Sequence, residues 1–426
     1  MVGYGQLIRQ NKNFRNLWFG QIISMFGDWF NLIASAALIA QLTESGLAVG
    51  ALFVARMLAP FLVSPVAGVV ADQFNRKTIL IVSDVARAMT AFGFLLVREP
   101  EHVWLIYTLT FIQLGISGFF NPTYNALLPD LVNEEELGTA NVLGTITWSV
   151  MLTLGAAVGG LVSGIFGIYT AFTIDGITFL LSIVFLMMVV YRPDGDVESD
   201  QSVSAALQSY MDGLHYLRQK SDILLIALHK SFLTVTTWAG IQVIQVSIAE
   251  NLFVIGEGGS ISLGLMFAFQ GIGAALGPVV GRYIVGDDLK KIRRFIITCY
   301  LIDAVGLAIA ATLFNFPVIL FAWVLIGFGS GNLWVMSSQL LMTLLPNEMR
   351  GRVFSVEFAL HTLFSAIAAG LAGYVLDIGL SIAGLLIITA VFSIVPALIW
   401  GYFGVSRAPV AELAFGGEQG SGIGDR

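Results

Sequence analysis

Long apolar runs recur along the whole chain, and short polar turns separate them. In residues 51–80 an apolar run leads to Gly68, a turn with Asp72, Arg76 and Lys77 follows, and a new apolar run begins. A helix rises about 1.5 Å per residue, so about twenty apolar residues cross a hydrocarbon core of about 30 Å. The pattern therefore predicts one membrane-spanning helix after another.

The composition leaves little room for a water-soluble fold. Hydrophobic residues make up 57% of the 426 residues and charged residues 12%, whereas soluble domains carry about 25% charged residues. The single cysteine, Cys299, excludes an intrachain disulfide and a metal site built on cysteines. The sequence has no P-loop, catalytic serine motif, zinc-ligand spacing or basic nucleic-acid-binding face. We therefore expect a membrane protein that is not an enzyme, holds no cofactor or metal and binds no nucleic acid.

Counting the apolar runs gives twelve spans, which predicts an all-α membrane protein. The first run is too long for the core of a cleavable signal peptide, so we expect it to remain in the protein as the first span. The predicted spans are residues 17–41, 46–70, 78–97, 103–127, 138–165, 168–190, 222–248, 261–285, 294–314, 316–344, 352–376 and 380–404.

Basic residues are distributed unevenly between the two sets of loops. With an even number of spans both termini lie on one side, and that side holds sixteen of the 21 Lys and Arg residues, whereas the opposite loops hold only Arg98. Since cytoplasmic loops carry the excess of Lys and Arg, both termini are expected in the cytoplasm.

Short matching segments recur at a spacing of about half the chain. SPVAG at 64–68 ends span two and GPVVG at 277–281 ends span eight, while LLP follows both span four and span ten. The repeat predicts two similar halves joined by a linker whose amphipathic helix would lie on the membrane surface. The expected organisation is a cytoplasmic N-terminal segment (1–16), an N-terminal six-helix bundle (17–190), a cytoplasmic linker with an amphipathic helix (191–221), a C-terminal six-helix bundle (222–404) and a disordered cytoplasmic tail (405–426).

The spacing Gly68-x-x-x-Asp72-x-x-x-Arg76-Lys77 resembles a loop signature of the major facilitator superfamily of secondary transporters, although positions 73 and 75 differ from it. The resemblance implies twelve transmembrane helices in two pseudo-symmetric six-helix bundles, with a substrate site near the midplane between them. It also implies that this loop closes a cytoplasmic gate against the start of span eleven. The residues of this gate motif are Gly68, Asp72, Arg76, Lys77, Arg350 and Arg352.

Other motifs resemble the drug:proton antiporter branch of that superfamily, which includes macrolide-efflux and enterobactin-exporter proteins. They are FGD at 26–28, LPDLV at 128–132, IDG at 174–176 and RGRV at 350–353. Two antiporter elements differ, because no arginine precedes Gln113 in span four and residues 155–160 lack the proline of the glycine motif. The resemblance implies transport, and it leaves proton coupling open.

Asp28 lies near the centre of span one, where an ionised carboxylate is costly in lipid. If this carboxyl group exchanges a proton as the site opens to alternate sides, it couples the proton gradient to substrate movement. The alternative is a fixed ion pair with Arg56, near the middle of span two. Both residues are candidates for proton coupling or substrate contact. In span three, Asp84 and Arg87 are three residues apart and are expected to neutralise each other.

Glu357 and His361 are four residues apart on span eleven and therefore share a helix face. They are candidates for a proton relay or a cation contact, since histidine titrates near neutral pH. The alternative is structural: Glu357 pairs with Arg352 or Arg56, and His361 forms a hydrogen bond with a neighbour.

Aromatic and amide side chains are candidates for lining an apolar cavity, which would suit a bulky amphipathic solute. Glycines concentrate in spans five and eight, and small residues allow helix backbones to approach closely in lipid. The resemblance to the superfamily implies that these two spans contact each other and slide as the halves move; the alternative is tight packing without motion. The cavity candidates are Trp29, Gln113, Asn121, Asn125, Trp238, Gln242, Gln270 and Gln339.

Together these features predict a monomeric, multi-pass transporter of the plasma membrane that exports an amphipathic, drug-like molecule in exchange for protons by alternating access. The alternatives within transport are a lipid or siderophore exporter and an uncoupled facilitator. The alternative outside transport is a membrane sensor or assembly factor with a transporter fold.

Overall fold

The computed structural model describes residues 3–191, 203–235, 239–286 and 288–405, and their regular structure is helical. Eleven helical stretches in these ranges are long and apolar enough to cross a membrane. The helices are α1 (Tyr4–Gln10), α2 (Lys12–Thr43), α3 (Gly46–Gln73), α4 (Arg76–Gly93), α5 (Val103–Leu131), α6 (Glu134–Val150), α7 (Ala156–Phe166), α8 (Ile168–Met187), α9 (Val203–Gln219), α10 (Ser221–Leu233), α11 (Ala239–Asn251), α12 (Ser260–Val285), α13 (Leu289–Ala311), α14 (Phe316–Leu344), α15 (Asn347–Asp377) and α16 (Ile382–Trp400).

Most predicted spans coincide with one helix whose ends differ by a few residues from the prediction. Span five consists of α6 and α7, joined by a π-helical turn at Met151–Gly155. Span seven is occupied by α10 and α11, and residues 236–238 between them lie outside the described residues. The predicted tail also lies outside them from residue 406 onward.

Polar residues at the turns determine where the helices begin. The side chains of Asn11, Ser45 and Asn75 accept hydrogen bonds from backbone amides in the first turns of α2, α3 and α4. These amides have no partner inside the helix, so each cap stabilises a helix start by about 1 kcal/mol.

Each half of the chain has its own set of helix–helix contacts. In the first half α8 packs along α2 and α4, and α5 packs on α3 and α4. In the second half α14 packs along α12 and α13, and α16 packs on α13. The main contacts between the halves join α3 to α15 and α7 to α12, so the packing expected between spans five and eight is present.

We call the end of the molecule where α2 begins the terminal face, and the end where α2 finishes the distal face. Near the distal face the backbones of the two halves approach closely. A Cβ on Gly50 would lie 2.6 Å from the carbonyl oxygen of Ala369, and a Cβ on Gly160 would lie 2.9 Å from Cα of Gly264. Only glycine permits this spacing, so these contacts bring α3 against α15 and α7 against α12.

The helix α9 follows the undescribed residues 192–202 of the linker. Leu217 in this helix is fully buried, and Tyr210 and Leu214 pack against the same apolar cluster, to which α10 and α15 contribute. Asp212 binds Arg352 of α15 at 3.1 Å. The described part of its apolar face is therefore covered by protein, which differs from the predicted position of this helix on the membrane surface.

Candidate functional site

A cavity of about 280 Å³ lies among helices of the first half. It combines three charged side chains with aromatic rings, and its lining residues come from α2, α3, α4, α5 and α6. These residues are Gln21, Ser24, Met25, Asp28, Trp29, Leu32, Arg56, Arg87, Leu114, Ser117, Phe120, Asn121 and Trp148.

Arg87 is the central ion-pairing residue of this cavity. Its Nη2 donates to both carboxylate oxygens of Asp28, at 2.9 and 2.8 Å, and its Nη1 donates to Oδ1 of Asp84 at 3.1 Å. Arg87 is 3% exposed and the Asp28 side chain is 31% exposed, so the carboxylate of Asp28 faces the cavity. The predicted Asp84–Arg87 pair is confirmed, whereas the alternative pairing of Asp28 with Arg56 is wrong.

The reason for this different partner is the order of the helices in space. Although α2 and α3 are consecutive in the chain, α2 packs mainly along α8, which also packs on α4. Arg87 of α4 therefore reaches Asp28. Its guanidinium carbon lies 4.1 Å from the ring centroid of Phe179 and 5.3 Å from that of Phe120. Such cation–π contacts help to hold the guanidinium in place.

Arg56 contributes a second guanidinium to the cavity wall. Within the described parts of the chain, no carboxylate or other acceptor lies within hydrogen-bonding or ion-pairing distance of it. The cavity therefore holds one arginine with two carboxylate partners and another arginine without a direct partner.

Asp175 of α8 is fully buried behind the cavity. Its Oδ2 accepts hydrogen bonds from Nδ2 of Asn31 at 3.0 Å and from Nε2 of Gln113 at 3.2 Å. Gln113 is thus a buried partner of Asp175, and it is not among the residues that line the cavity.

In the second half, Lys230 of α10 binds Oε2 of Glu357 in α15 at 2.9 Å, and both side chains are buried. The Lys230 ammonium also lies 4.5 Å from the ring centroid of Trp334. The expected partners of Glu357, Arg352 or Arg56, are therefore wrong.

His361 lies one turn further along α15 than Glu357. Its Nδ1 is 2.6 Å from Oγ1 of Thr234, and its ring packs edge-on against Trp334. The alternative that His361 forms a hydrogen bond with a neighbour is confirmed.

The two basic residues that the first half contributes to the predicted gate motif bind within that half. Nη1 of Arg76 donates to Asp130 at 2.6 Å, and Nζ of Lys77 donates to the carbonyl oxygens of Met187 and Val189. In the second half, Arg350 is exposed and Arg352 binds the linker helix α9. The helix α3 runs through Gly68 and Asp72, but the side-chain placement of these two residues lies outside what the structure describes.

At the distal face a carboxylate joins the two halves. Asp377, the last residue of α15, accepts hydrogen bonds from Oγ of Ser45 at 2.7 Å and from the backbone amides of Gly46 at 2.6 Å and Leu47 at 3.2 Å. Sequence reasoning missed this contact, and its only signal was an acidic residue at the end of span eleven.

The remaining cavity candidates are dispersed. Trp29 and Asn121 line the cavity. Asn125 is exposed on α5, Gln242 and Gln270 are buried in the second half, and Gln339 is half-buried on α14. Trp238 lies outside the described residues.

Sequence reasoning also overlooked several residues of the cavity. It noticed Arg87 but assigned it only to Asp84, and it missed Trp148, Phe120 and Ser117. A basic residue inside a span is itself a signal of function, so Arg87 could have been selected on that ground.

Comparison with known proteins identifies the family to which this chain is similar. A sequence profile described as Major Facilitator Superfamily matches residues 17–356. The "Uncharacterized MFS-type transporter YfiS" of Bacillus subtilis is 29% identical over 392 residues, which cover 88% of this chain and 90% of YfiS. "Multidrug efflux pump Tap" of Mycolicibacterium fortuitum is 23% identical over 93% of this chain and 95% of its own. Another curated match is also named as a multidrug efflux pump.

Solved structures agree with the sequence matches at the level of the fold. The crystal structure of a point mutant of the nucleoside transporter NupG superposes with a TM-score of 0.72 at 15% identity, covering 92% of this chain and 99% of NupG. The helical spans, the charged cavity and the profile match lead to one assignment. This chain belongs to the Major Facilitator Superfamily of membrane transporters.

Proposed function

We propose that the protein exports an amphipathic, drug-like small molecule across the plasma membrane in exchange for protons. The observation that carries this proposal is the position of Asp28. It is a partly exposed carboxylate that faces a cavity in the membrane region and binds a buried arginine. Ionisable groups at such positions in transporters commonly mark proton or substrate pathways.

We further propose twelve spans in two six-helix bundles, residues 17–190 and 222–404, with both termini in the cytoplasm and the protein acting as a monomer. The contacts among α2–α8 and, separately, among α10–α16 support the two bundles. The excess of Lys and Arg in the loops on the terminal side supports the orientation.

The contacts between the halves support alternating access. Near the distal face α3 and α15 touch through Gly50 and Ala369. Toward the terminal face, Leu62 of α3 is 58% exposed, and Phe74, the residue that follows α3, is 62% exposed. We infer that this conformation is closed at the distal face and open toward the terminal face, which is the cytoplasmic side under the proposed orientation.

The pairing of Arg87 suggests how a proton exchanges for substrate. Protonation of Asp28 removes one of the two negative charges beside Arg87, and Asp84 remains as its partner. The guanidinium thus stays paired in both protonation states of Asp28. Glu357 and His361 are proposed as a second titratable site, although their hydrogen bonds within the second half fit a structural role as well.

The cavity wall indicates the kind of solute. The rings of Trp29, Trp148 and Phe120 lie in the same cavity as three charged groups, which suits a molecule with an apolar body and a polar end. The relatives named as multidrug efflux pumps support export of such compounds.

A transport assay tests the proposal. Inverted membrane vesicles containing the wild type or Asp28→Asn are energised with a proton gradient, and the uptake of a panel of amphipathic dyes is followed by fluorescence. Uptake by the wild type should require the gradient and should be lost in Asp28→Asn. Wild-type uptake that survives collapse of the gradient would identify an uncoupled facilitator. A folded protein that moves no dye would favour the lipid or siderophore exporter or the membrane sensor.

A further inference from the structure

The two arginines of the cavity differ in their ion pairs. Arg87 binds Asp28 and Asp84, and both carboxylate oxygens of Asp28 already accept hydrogen bonds from Arg87. Arg56 lines the same cavity, and none of the described residues offers its guanidinium a direct partner. The protein thus presents a positive group to whatever occupies the cavity.

We infer that Arg56 binds an anionic group of the transported molecule, so the substrate class is an amphipathic anion such as an aromatic carboxylate. This inference rests on the proposed function, because it takes the cavity as the transport site. Arg56 is partly buried in the cavity wall, and the negative charges of Asp28 and Asp175 act on it only from a distance. A carboxylate in direct contact with its guanidinium would add hydrogen bonds that the described residues do not supply. This planar guanidinium can donate two parallel hydrogen bonds to one carboxylate, which gives orientation as well as attraction.

The aromatic residues of the cavity wall provide the contacts for the apolar part of that molecule. Trp29, Trp148 and Phe120 share the cavity with Arg56. A volume of about 280 Å³ accommodates a small fused-ring system with an acidic side group. The carboxylate would bind Arg56 while the rings pack against the aromatic side chains.

The binding of matched acid and amide probes to purified protein in detergent tests whether Arg56 binds an anionic group. The probes are phenylacetate, 1-naphthylacetate and 1-pyrenylacetate, each paired with its primary amide, which has the same shape without the charge. Affinities are taken from the ligand dependence of the unfolding temperature. For at least one pair we expect the acid to bind the wild type at least about tenfold more tightly than the amide, as for hydrogen bonds to charged groups.

Variants at position 56 separate charge from shape. Arg56→Gln should remove the preference for the acid, and Arg56→Lys should retain part of it. Arg98→Gln serves as the control, because Arg98 stacks on Tyr169 outside the cavity; this variant should keep the wild-type preference. Absence of an acid preference in all three pairs, or a preference that persists in Arg56→Gln, overturns the inference.

The outcome is independent of proton-driven export, since detergent-solubilised protein has no gradient. Acid-selective binding that depends on Arg56 supports the anion site even if the vesicle assay shows no proton coupling. Proton-driven export of cationic dyes alone, with no acid preference in the binding assay, would retain the proposed function and reject the anion site.

Discussion

Asp377 caps the helix that begins at Gly46, although the two residues are 331 positions apart and belong to opposite halves of the chain. The carboxylate of Asp377 accepts hydrogen bonds from the backbone amides of Gly46 and Leu47 and from the hydroxyl of Ser45. The first amides of a helix have no partner within it, and the partial positive charge at the helix start favours an anion. One side chain of α15 thus holds the start of α3 at the distal face.

Removing this cap should loosen the distal face. An N-cap contributes about 0.5–2 kcal/mol, so Asp377→Ala should increase the population open at the distal face by about two- to thirtyfold. The measurement is the distance between spin labels at Glu44→Cys and Ile378→Cys, in a Cys299→Ala background; Ile378 is exposed and has a negative φ, so a cysteine fits there. Glu99→Gln, an exposed acid in another loop of the distal face, is the control. Unchanged distance distributions in Asp377→Ala would contradict a latch.

A second prediction concerns the contact between α7 and α12. A Cβ on Gly160 would lie 2.6 Å from the carbonyl oxygen of Ser260, and one on Gly264 would lie 2.6 Å from that of Ala156. Gly160→Ala and Gly264→Ala should therefore force the halves apart, lower the unfolding temperature and reduce transport.

The matched control for these glycines is Gly144→Ala in α6, where a Cβ would meet nothing within 4 Å. Alanine favours a helix over glycine by about 0.5–1 kcal/mol, so this variant should be neutral or slightly stabilised. Equal losses of stability in all three variants would show that close approach of the halves is not the cause.

Variants of the two carboxylates that pair with Arg87 should distinguish a role in proton coupling from a role in stability. Asp28 lines the cavity, whereas Asp84 is fully buried and does not line it. Asp28→Asn should abolish proton-driven efflux at normal expression, while Asp84→Asn should lower the unfolding temperature and leave efflux dependent on the gradient. Efflux at several external pH values, together with thermal unfolding of each variant, provides the measurement. If both variants lose efflux in proportion to their stability, Asp28 has only a structural role.

The spans could be predicted from the sequence because apolar length is a local property. The Asp84–Arg87 pair is equally local, because its members lie one turn apart. Both features depend on residues that are close in the chain, and a single sequence contains that information.

The cavity could not be predicted to the same extent, because its geometry depends on which helices are neighbours. The pairing of Asp28 with Arg56 followed from assuming that consecutive helices pack together. In the structure α8 lies beside α2, and Arg87 supplies the partner instead. The same limitation applies to Glu357, whose partner Lys230 is 127 residues away.

The Lys230–Glu357 pair gives a final test of whether the second half takes part in coupling. Removing one member of a buried ion pair leaves the other charge uncompensated and costs about 3–5 kcal/mol, whereas removing both can be nearly neutral. We expect Lys230→Met and Glu357→Gln each to unfold at markedly lower temperature than the wild type, and Lys230→Met/Glu357→Met to recover much of that loss. If the pair is structural, the double variant also keeps efflux that collapses with the proton gradient. A double variant that is stable and exports its substrate without dependence on the gradient would instead assign proton coupling to Glu357.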